Sequence, residues 1–279
     1  MIAFPAPAKL NLMLRVVGRR ADGYHLLQTV FRFIEHGDIV RLQLRRDGAI
    51  VRLRPLPGVV EADDLTVRAA RALKAATGTA LGVAIDLEKR LPQGGGLGGG
   101  SSDAATVLLA LNQLWQTGLT RGRLQELALP LGADVPVFIY GQSAVAEGVG
   151  EQLAPLALPP AWYLVLVPPV AVPTAAVFRH SELKRDSEKV KIQGFSALGG
   201  NDLQPLVCRE YPEVARHLAW LKQYGAAQMT GSGACVFAAF ADEAAARAAL
   251  AACPPDMRGF VARGLDSHPL HGLAEDFDG

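Results

Sequence analysis

Residues 91–115 read LPQGGGLGGGSSDAATVLLALNQLW, and this stretch decides the architecture. Just upstream, Val83, Ile85 and Leu87 alternate with Ala84, Asp86 and Glu88, which is the period of a strand. Just downstream, residues 104–114 read as a helix rich in Ala and Leu. Between them, residues 94–100 hold six glycines, followed by Ser101 and Ser102. Glycine lacks a Cβ, so a glycine-rich backbone can turn several N–H groups toward one anion. The following helix aims its unpaired N–H groups and positive dipole end at the same spot. The stretch therefore predicts a phosphate-binding loop, with Lys89 and Arg90 upstream and two serine hydroxyls at the helix start. A flexible glycine linker is the plainer alternative, but a linker joins domains rather than a strand to its own helix.

Two other phosphate sites are tested by the same residues. G-x-x-x-x-G-K-[ST] is absent, so the loop is not of the Walker type. Gly94, Gly96 and Gly99 fit G-x-G-x-x-G, but a dinucleotide site needs an acidic residue at a strand end about 20 positions on. That region, 120–126, reads as helix, so a dinucleotide-dependent oxidoreductase fits poorly.

Working outward, Leu10, Leu12, Leu14 and Val16 alternate with Lys9, Asn11, Met13 and Arg15, which predicts a half-buried strand with Lys9 and Asn11 on one face. GRRADGY (18–24) is loop-like. Strands are expected at 39–46 and 50–54, joined by an Asp47-Gly48 hairpin turn. A helix over 65–76 has Asp63 or Asp64 as its cap and Gly78 as its terminator. Helix 121–129 and a strand near 143–147 follow, then the proline-rich 155–162, the expected linker between units 1–155 and 160–270. The second unit reads strand (YLVLV), helix (212–223), strand–turn–strand (225–240), helix (243–252) and strand (259–263), a split βαβ order. Residues 182–191 read as a solvated charged segment, and the tail from 274 as frayed.

The 279 residues are 50% hydrophobic and 20% charged, which suits a globular chain and not a disordered one. Net charge is +1, divided as +4 over residues 1–150 and −3 over 151–279. That is no footprint of a nucleic-acid binder, and the basic first half suits a small anionic ligand. Three scattered cysteines, Cys208, Cys235 and Cys253, argue against a disulfide framework or a cysteine-based zinc site. With no signal-peptide pattern at the start, and prolines breaking the apolar run at 163–173, a cytoplasmic location away from membranes is expected.

The run from Pro92 through Gly-Gly-Leu-Gly, two serines and Ala-Ala resembles the ATP-binding motif of the GHMP kinases, the superfamily of galactokinase, homoserine kinase and mevalonate kinase. PAKLNLMLRVVGRRADGYHLLQTVF (7–31), this loop and GADVPVF (132–138), supported by NDLQP (201–205) and MTGSGACVFAAF (229–240), together resemble one branch of it. That branch phosphorylates a hydroxyl of a cytidylyl-linked sugar alcohol in isoprenoid precursor synthesis. The resemblance covers nearly the whole chain. It implies an α+β, two-domain fold, ribosomal-S5-like then ferredoxin-like, with the site in the cleft between. It also implies ATP and Mg²⁺ as cofactors, a small-molecule acceptor, and no nucleic-acid or membrane partner. Homoserine- or mevalonate-type kinases are the rivals, and Gly23-Tyr24-His25 argues against them.

Carried over by the same resemblance, Asp134 is the catalytic aspartate and Lys9 the lysine beside it. Phosphoryl transfer needs positioning, charge neutralisation and a group for the hydroxyl proton, which this pair supplies. Asn11 holds the substrate. Tyr24 stacks on the cytosine and His25 bonds its edge, with Phe31, Thr174 and Phe178 lining the same pocket. Lys89, Pro92, Gly94, Gly95, Gly96, Leu97, Gly98, Gly99, Gly100, Ser101 and Ser102 bind ATP, and Gly231-Ser232-Gly233 supports the substrate side. Asp64 and Asp103 stand where asparagine is expected, and each adds charge near the nucleotide.

Overall fold

The computed structural model describes residues 1–192 and 199–274. Two long strands open it, β1 (Ile2–Arg19) and β2 (His25–Arg45), paired antiparallel along nearly their whole length. β3 (Ile50–Arg52), helix α1 (Leu65–Thr77) and β4 (Gly82–Glu88) follow. The glycine loop then leads into α2 (Gly99–Leu114), α3 (Arg121–Ala128) and α4 (Val135–Tyr140). β5 (Ala144–Glu147) and β6 (Gln152–Pro155) close the first half. The second half runs β7 (Trp162–Val167), α5 (Thr174–Arg179), α6 (Gln204–Glu210), α7 (Pro212–Leu221), β8 (Ala227–Met229), β9 (Val236–Phe240), α8 (Glu243–Ala251) and β10 (Arg258–Leu265).

The second half is an antiparallel sheet in the order β10-β7-β9-β8, the ferredoxin-like order 4-1-3-2. β10 continues past β7 and pairs with β2 at Gly264–Ile34 and Leu265–Phe33, so one hydrogen-bonded sheet runs through both halves. Helices α1 to α4 cover one side of the first half around Phe33, Leu42, Leu73, Leu108 and Phe138. A second core lies around Leu164, Leu206, Leu218 and Val236, and a third, at the junction, holds Leu10, Met13, Ile34, Leu97, Tyr163 and Phe237.

Several expectations change on folding. β1 is buried on both faces rather than one, because α2 packs on one side and the second half on the other. A bulge between Asn11 and Met13 resets its alternation. Asp47-Gly48 does not close a hairpin. β4 lies between β2 and β3, and β3 runs parallel to β4. Asp47 instead accepts from Ala49 N at 3.1 Å, an Asx turn that carries the chain past the strand end. β6 and α6 arise where no element is expected. The charged segment 182–191 is irregular but tied down: Ser187 N donates to Val16 O, and Val190 N to Gln28 Oε1. Of the tail expected to fray from 274, residues 275–279 lie outside the described residues. Cap and terminator of α1 are as expected: Asp64 accepts from Thr66 N at 2.9 Å, and Gly78 is left-handed at φ 68°.

Leu108 is wholly buried on α2, which backs the glycine loop. Leu108→Ala should cost about 2–5 kcal/mol. Urea unfolding should show a lower midpoint with an unchanged slope, and a loss well under 1 kcal/mol would mean that α2 is not set by this core.

Candidate active site

The loop, the start of β1 and the β8–β9 turn meet around a cavity of about 610 Å³. The loop's carbonyls face the protein in sequence. Gly94 O accepts from Ala234 N and Gly95 O from Cys235 N, each at 3.1 Å. Gly96 O accepts from Thr230 Oγ1 at 3.3 Å, and Leu97 O from Lys9 N at 3.0 Å. A trans peptide sets C=O and the next N–H antiparallel, so the amides of residues 95–98 turn away from these anchors. Gly96 has φ 74°, and a Cβ there would lie 2.2 Å from Thr230 O, so no other residue fits. The N–H groups of Gly99, Gly100 and Ser101 then open α2 without intrahelical acceptors.

Lys9 lies on β1 and Asp134 just before α4. Lys9 Nζ lies 3.1 Å from Asp134 Oδ2, with the lysine side chain 3% exposed and the aspartate 36%. Asp134 precedes α4 yet accepts no capping bond from it, so its carboxylate is left to Lys9 and the cavity. Lys9 Nζ also donates to Asn11 Oδ1 at 2.6 Å and sits 5.4 Å from the centre of the Phe31 ring. Asn11 Nδ2 donates to Thr29 Oγ1 at 2.8 Å, and Asn11 N to Thr230 Oγ1 at 3.0 Å. Four elements thus hold one ammonium against one carboxylate.

Lys9, Asn11, Phe31, Lys89, Pro92, Gly94 to Ser101, Asp134, Thr174 and Phe178 all line this cavity. Thr174 Oγ1 shares a hydrogen bond with Ser232 Oγ at 2.7 Å. Leu97 belongs there by its backbone, since its side chain is buried in the junction core. Three expected residues sit differently. Ser102 is fully buried with its hydroxyl donated to Pro7 O at 2.7 Å and its N–H to Gly98 O, so it ties α2 to β1 instead of facing the cavity. The helix turn dictates this, because Ser101 and Ser102 lie 100° apart around its axis. Tyr24 is 63% exposed and outside the lining, held out by a tight turn in which Arg20 N donates to Tyr24 O. His25 stands one ring further in, packed on Phe178 at 5.1 Å. Its Nε2 accepts from Arg185 Nε at 3.0 Å, which leaves Nδ1 as the protonated nitrogen of the neutral ring. Burial, with Arg185 and Arg19 adding to it, lowers the His25 pKa and favours that neutral ring.

Sequence reasoning missed Asp38, Thr29 and Thr230. Asp38 is fully buried and pairs with Lys89, Thr29 holds Asn11, and Thr230 couples Asn11 to the loop. Each looks like an ordinary strand or turn residue, and only the tertiary pairing gives it a role. Leu14 also reaches the cavity, because the bulge after Asn11 turns it inward in place of Met13. Asp64, at the far end, caps α1 and pairs with Arg52 at 3.0 Å.

A strand-supported glycine loop set beside a lysine–aspartate pair, in a cavity lined by both half-folds, defines a class. Residues 64–142 match the GHMP kinases N terminal domain, and residues 184–256 match GHMP kinases C terminal. A crystal structure of mevalonate kinase shares the fold at TM-score 0.69 and 14% identity, over 96% of this chain and all of that one. Much nearer is a crystal structure of 4-(cytidine 5'-diphospho)-2C-methyl-D-erythritol kinase, with TM-score 0.83 and 36% identity over 94% of this chain and 99% of that one. The 4-diphosphocytidyl-2-C-methyl-D-erythritol kinase of Thiobacillus denitrificans is 66% identical over 275 residues, 98% of this chain and 99% of its own. The chain belongs to the 4-diphosphocytidyl-2-C-methyl-D-erythritol kinase family of the GHMP kinases.

Gly96→Val should fold less stably and lose most affinity for ATP, because the side chain would press on Thr230 O and displace the loop. Calorimetric titration of the folded variant with an ATP analogue checks this, and unchanged affinity would remove the loop from the nucleotide site.

Proposed function

We infer that this chain transfers the γ-phosphoryl group of ATP to the 2-hydroxyl of 4-diphosphocytidyl-2-C-methyl-D-erythritol. The observation that carries the reading is the Lys9–Asp134 pair set beside the glycine loop in one cavity. It is supported by the 66% identical relative of that name. The mevalonate- and homoserine-type alternatives share the fold at 14–16% identity, which speaks to architecture alone.

In this reading the nucleotide lies with its phosphates against the amides of residues 95–98 and the first turn of α2. The acceptor enters from the side of Thr29, Phe31, Thr174 and Phe178. Asp134 takes or orients the proton of the attacking hydroxyl, and Lys9 stabilises the charge that develops on its oxygen. Asn11 and Phe31, which also line the cavity, hold Lys9 in place. His25, with Nδ1 as its donor, reads an acceptor atom of the cytosine, and Tyr24 closes over the ring from its exposed turn.

Among the described residues no group of three or more His, Cys, Asp or Glu side chains converges to hold a metal ion. The residues do not build a cage, so Mg²⁺ belongs with the nucleotide as a magnesium–ATP substrate, bound mainly by phosphate oxygens and water. Among the described residues no helix is long and apolar enough to cross a membrane.

Asp134→Asn should keep the fold and lower kcat by about 10²–10⁴-fold, the usual contribution of a positioned base. Steady-state phosphorylation of the cytidylyl substrate is the assay, and near wild-type kcat would exclude Asp134 as the base. His25→Ala should raise KM for the cytidylyl substrate while sparing that for ATP, by a hydrogen bond of about 1 kcal/mol. Tyr24→Ala should act in the same direction through a stacking loss of about 1–3 kcal/mol. A rise in KM for ATP alone would move both residues to the nucleotide side.

A further inference from the structure

Beneath the glycine loop, three ionisable side chains form a cluster that the transfer step does not use. Lys89, just after β4, pairs with Asp38 of β2 and with Asp103, one turn into α2, the latter at 2.9 Å. One cation thus faces two buried carboxylates. The carboxylates are not equivalent. Asp38 Oδ1 accepts the backbone N–H groups of Arg90 and Leu91 at 2.6 and 2.8 Å, and its Oδ2 accepts from Lys89. An acceptor-only anion is fully served there. Asp103 Oδ2 accepts from Lys89, but its Oδ1 is buried and has no partner. Asp103 is 2% exposed and lines the same cavity as Gly99, Gly100 and Ser101. A Cβ on Gly99 would sit 3.2 Å from Lys89 Nζ and 3.3 Å from Asp38 Oδ2, so a phosphate cradled by the helix start lies close to the cluster. Two ionised carboxylates would leave it net negative beside a polyphosphate, whereas one proton makes it neutral and turns the idle oxygen into a donor.

We propose that Asp103 is a nucleotide-positioning residue that acts as a neutral carboxylic acid within this cluster, so that nucleotide binding takes up one proton from solvent at alkaline pH. The proposal rests on the reading of the cavity as an ATP site. No covalent bond changes, and the proton comes from the buffer.

Burial pushes the Asp103 carboxyl up to about 7, with Lys89 pulling it down and Asp38 adding to the rise. Burial also works against the Lys89 ammonium, but Asp103 and Asp38 together hold it above its ordinary value, so it stays charged. The other ionisable groups around the cluster are His36 on β2, Glu88 and Arg90 beside Lys89, Asp63 and Asp64 at the start of α1, Lys9 on β1 and Asp134 before α4. Burial lowers His36, Arg90 pairs with Glu88, Arg52 with Asp64, and Lys9 with Asp134. Below about pH 7 Asp103 already holds its proton, so binding there is independent of it. Above that, affinity should fall by up to tenfold per pH unit. Asn at this position is neutral with an N–H donor, so its affinity should not follow that slope.

The test is calorimetric titration of magnesium–ADP into the full chain and into Asp103→Asn at pH 8, in two buffers of different ionisation heat. The wild type should take up close to one proton and the variant close to none. Binding without proton uptake in the wild type, or equal uptake in both, overturns the linkage alone, whereas absence of ADP binding overturns the nucleotide reading with it. Should the variant fail to fold, the Asp103 carboxyl carbon resonance of the wild type decides. Titration near pH 7 supports the proposal, and titration complete below about pH 5, the ordinary carboxylate range, overturns it.

Discussion

Four consecutive carbonyls of the glycine loop, from Gly94 to Leu97, are taken by hydrogen bonds from the β8–β9 turn and from Lys9. The cavity depends on this constraint. It orients the loop's amides outward, ties the two halves together, and makes the same strand that carries Lys9 a wall of the cavity. Thr230 joins both jobs, accepting from Asn11 N while donating to Gly96 O. A residue in the second half therefore positions both the loop and the side chain that holds Lys9.

Charge is distributed along the cavity in two units of different character. Lys9 and Asp134 form a pair with one buried and one half-exposed partner, suited to meeting a hydroxyl from solvent. At the other end, Lys89 is shared between Asp38 and Asp103, both nearly inaccessible. The first arrangement leaves a carboxylate reachable by a substrate. The second keeps charge off the surface, so the amides of the loop and helix start present a positive face to the cavity.

Much of this was legible from local pattern. The glycine run, Asp64 and Gly78 around α1, and the split βαβ order of the second half are local signals, and the structure keeps each of them. The Asp47-Gly48 turn closes no hairpin because turn chemistry reports a change of direction and not the identity of the partner strand. β4, arriving from 35 residues on, takes the place beside β2. Ser102 was misplaced for a similar reason: composition puts two hydroxyls at a helix start, while the helix turn and the position of β1 decide which one faces the cavity.

By itself the sequence determined the loop and its place, since six glycines between a strand and a helix allow few backbone alternatives. Family-specific motifs also marked Lys9, Asp134 and the Gly23-Tyr24-His25 element. Only the tertiary structure decided that Asp134 turns from its helix to Lys9, that Asp38 anchors Lys89, and that Asp103 carries an unpartnered oxygen. The physical reason is that these are pairings of buried charge across long separations. Their existence depends on which groups water can no longer reach once β1, β2, β4 and α2 have packed.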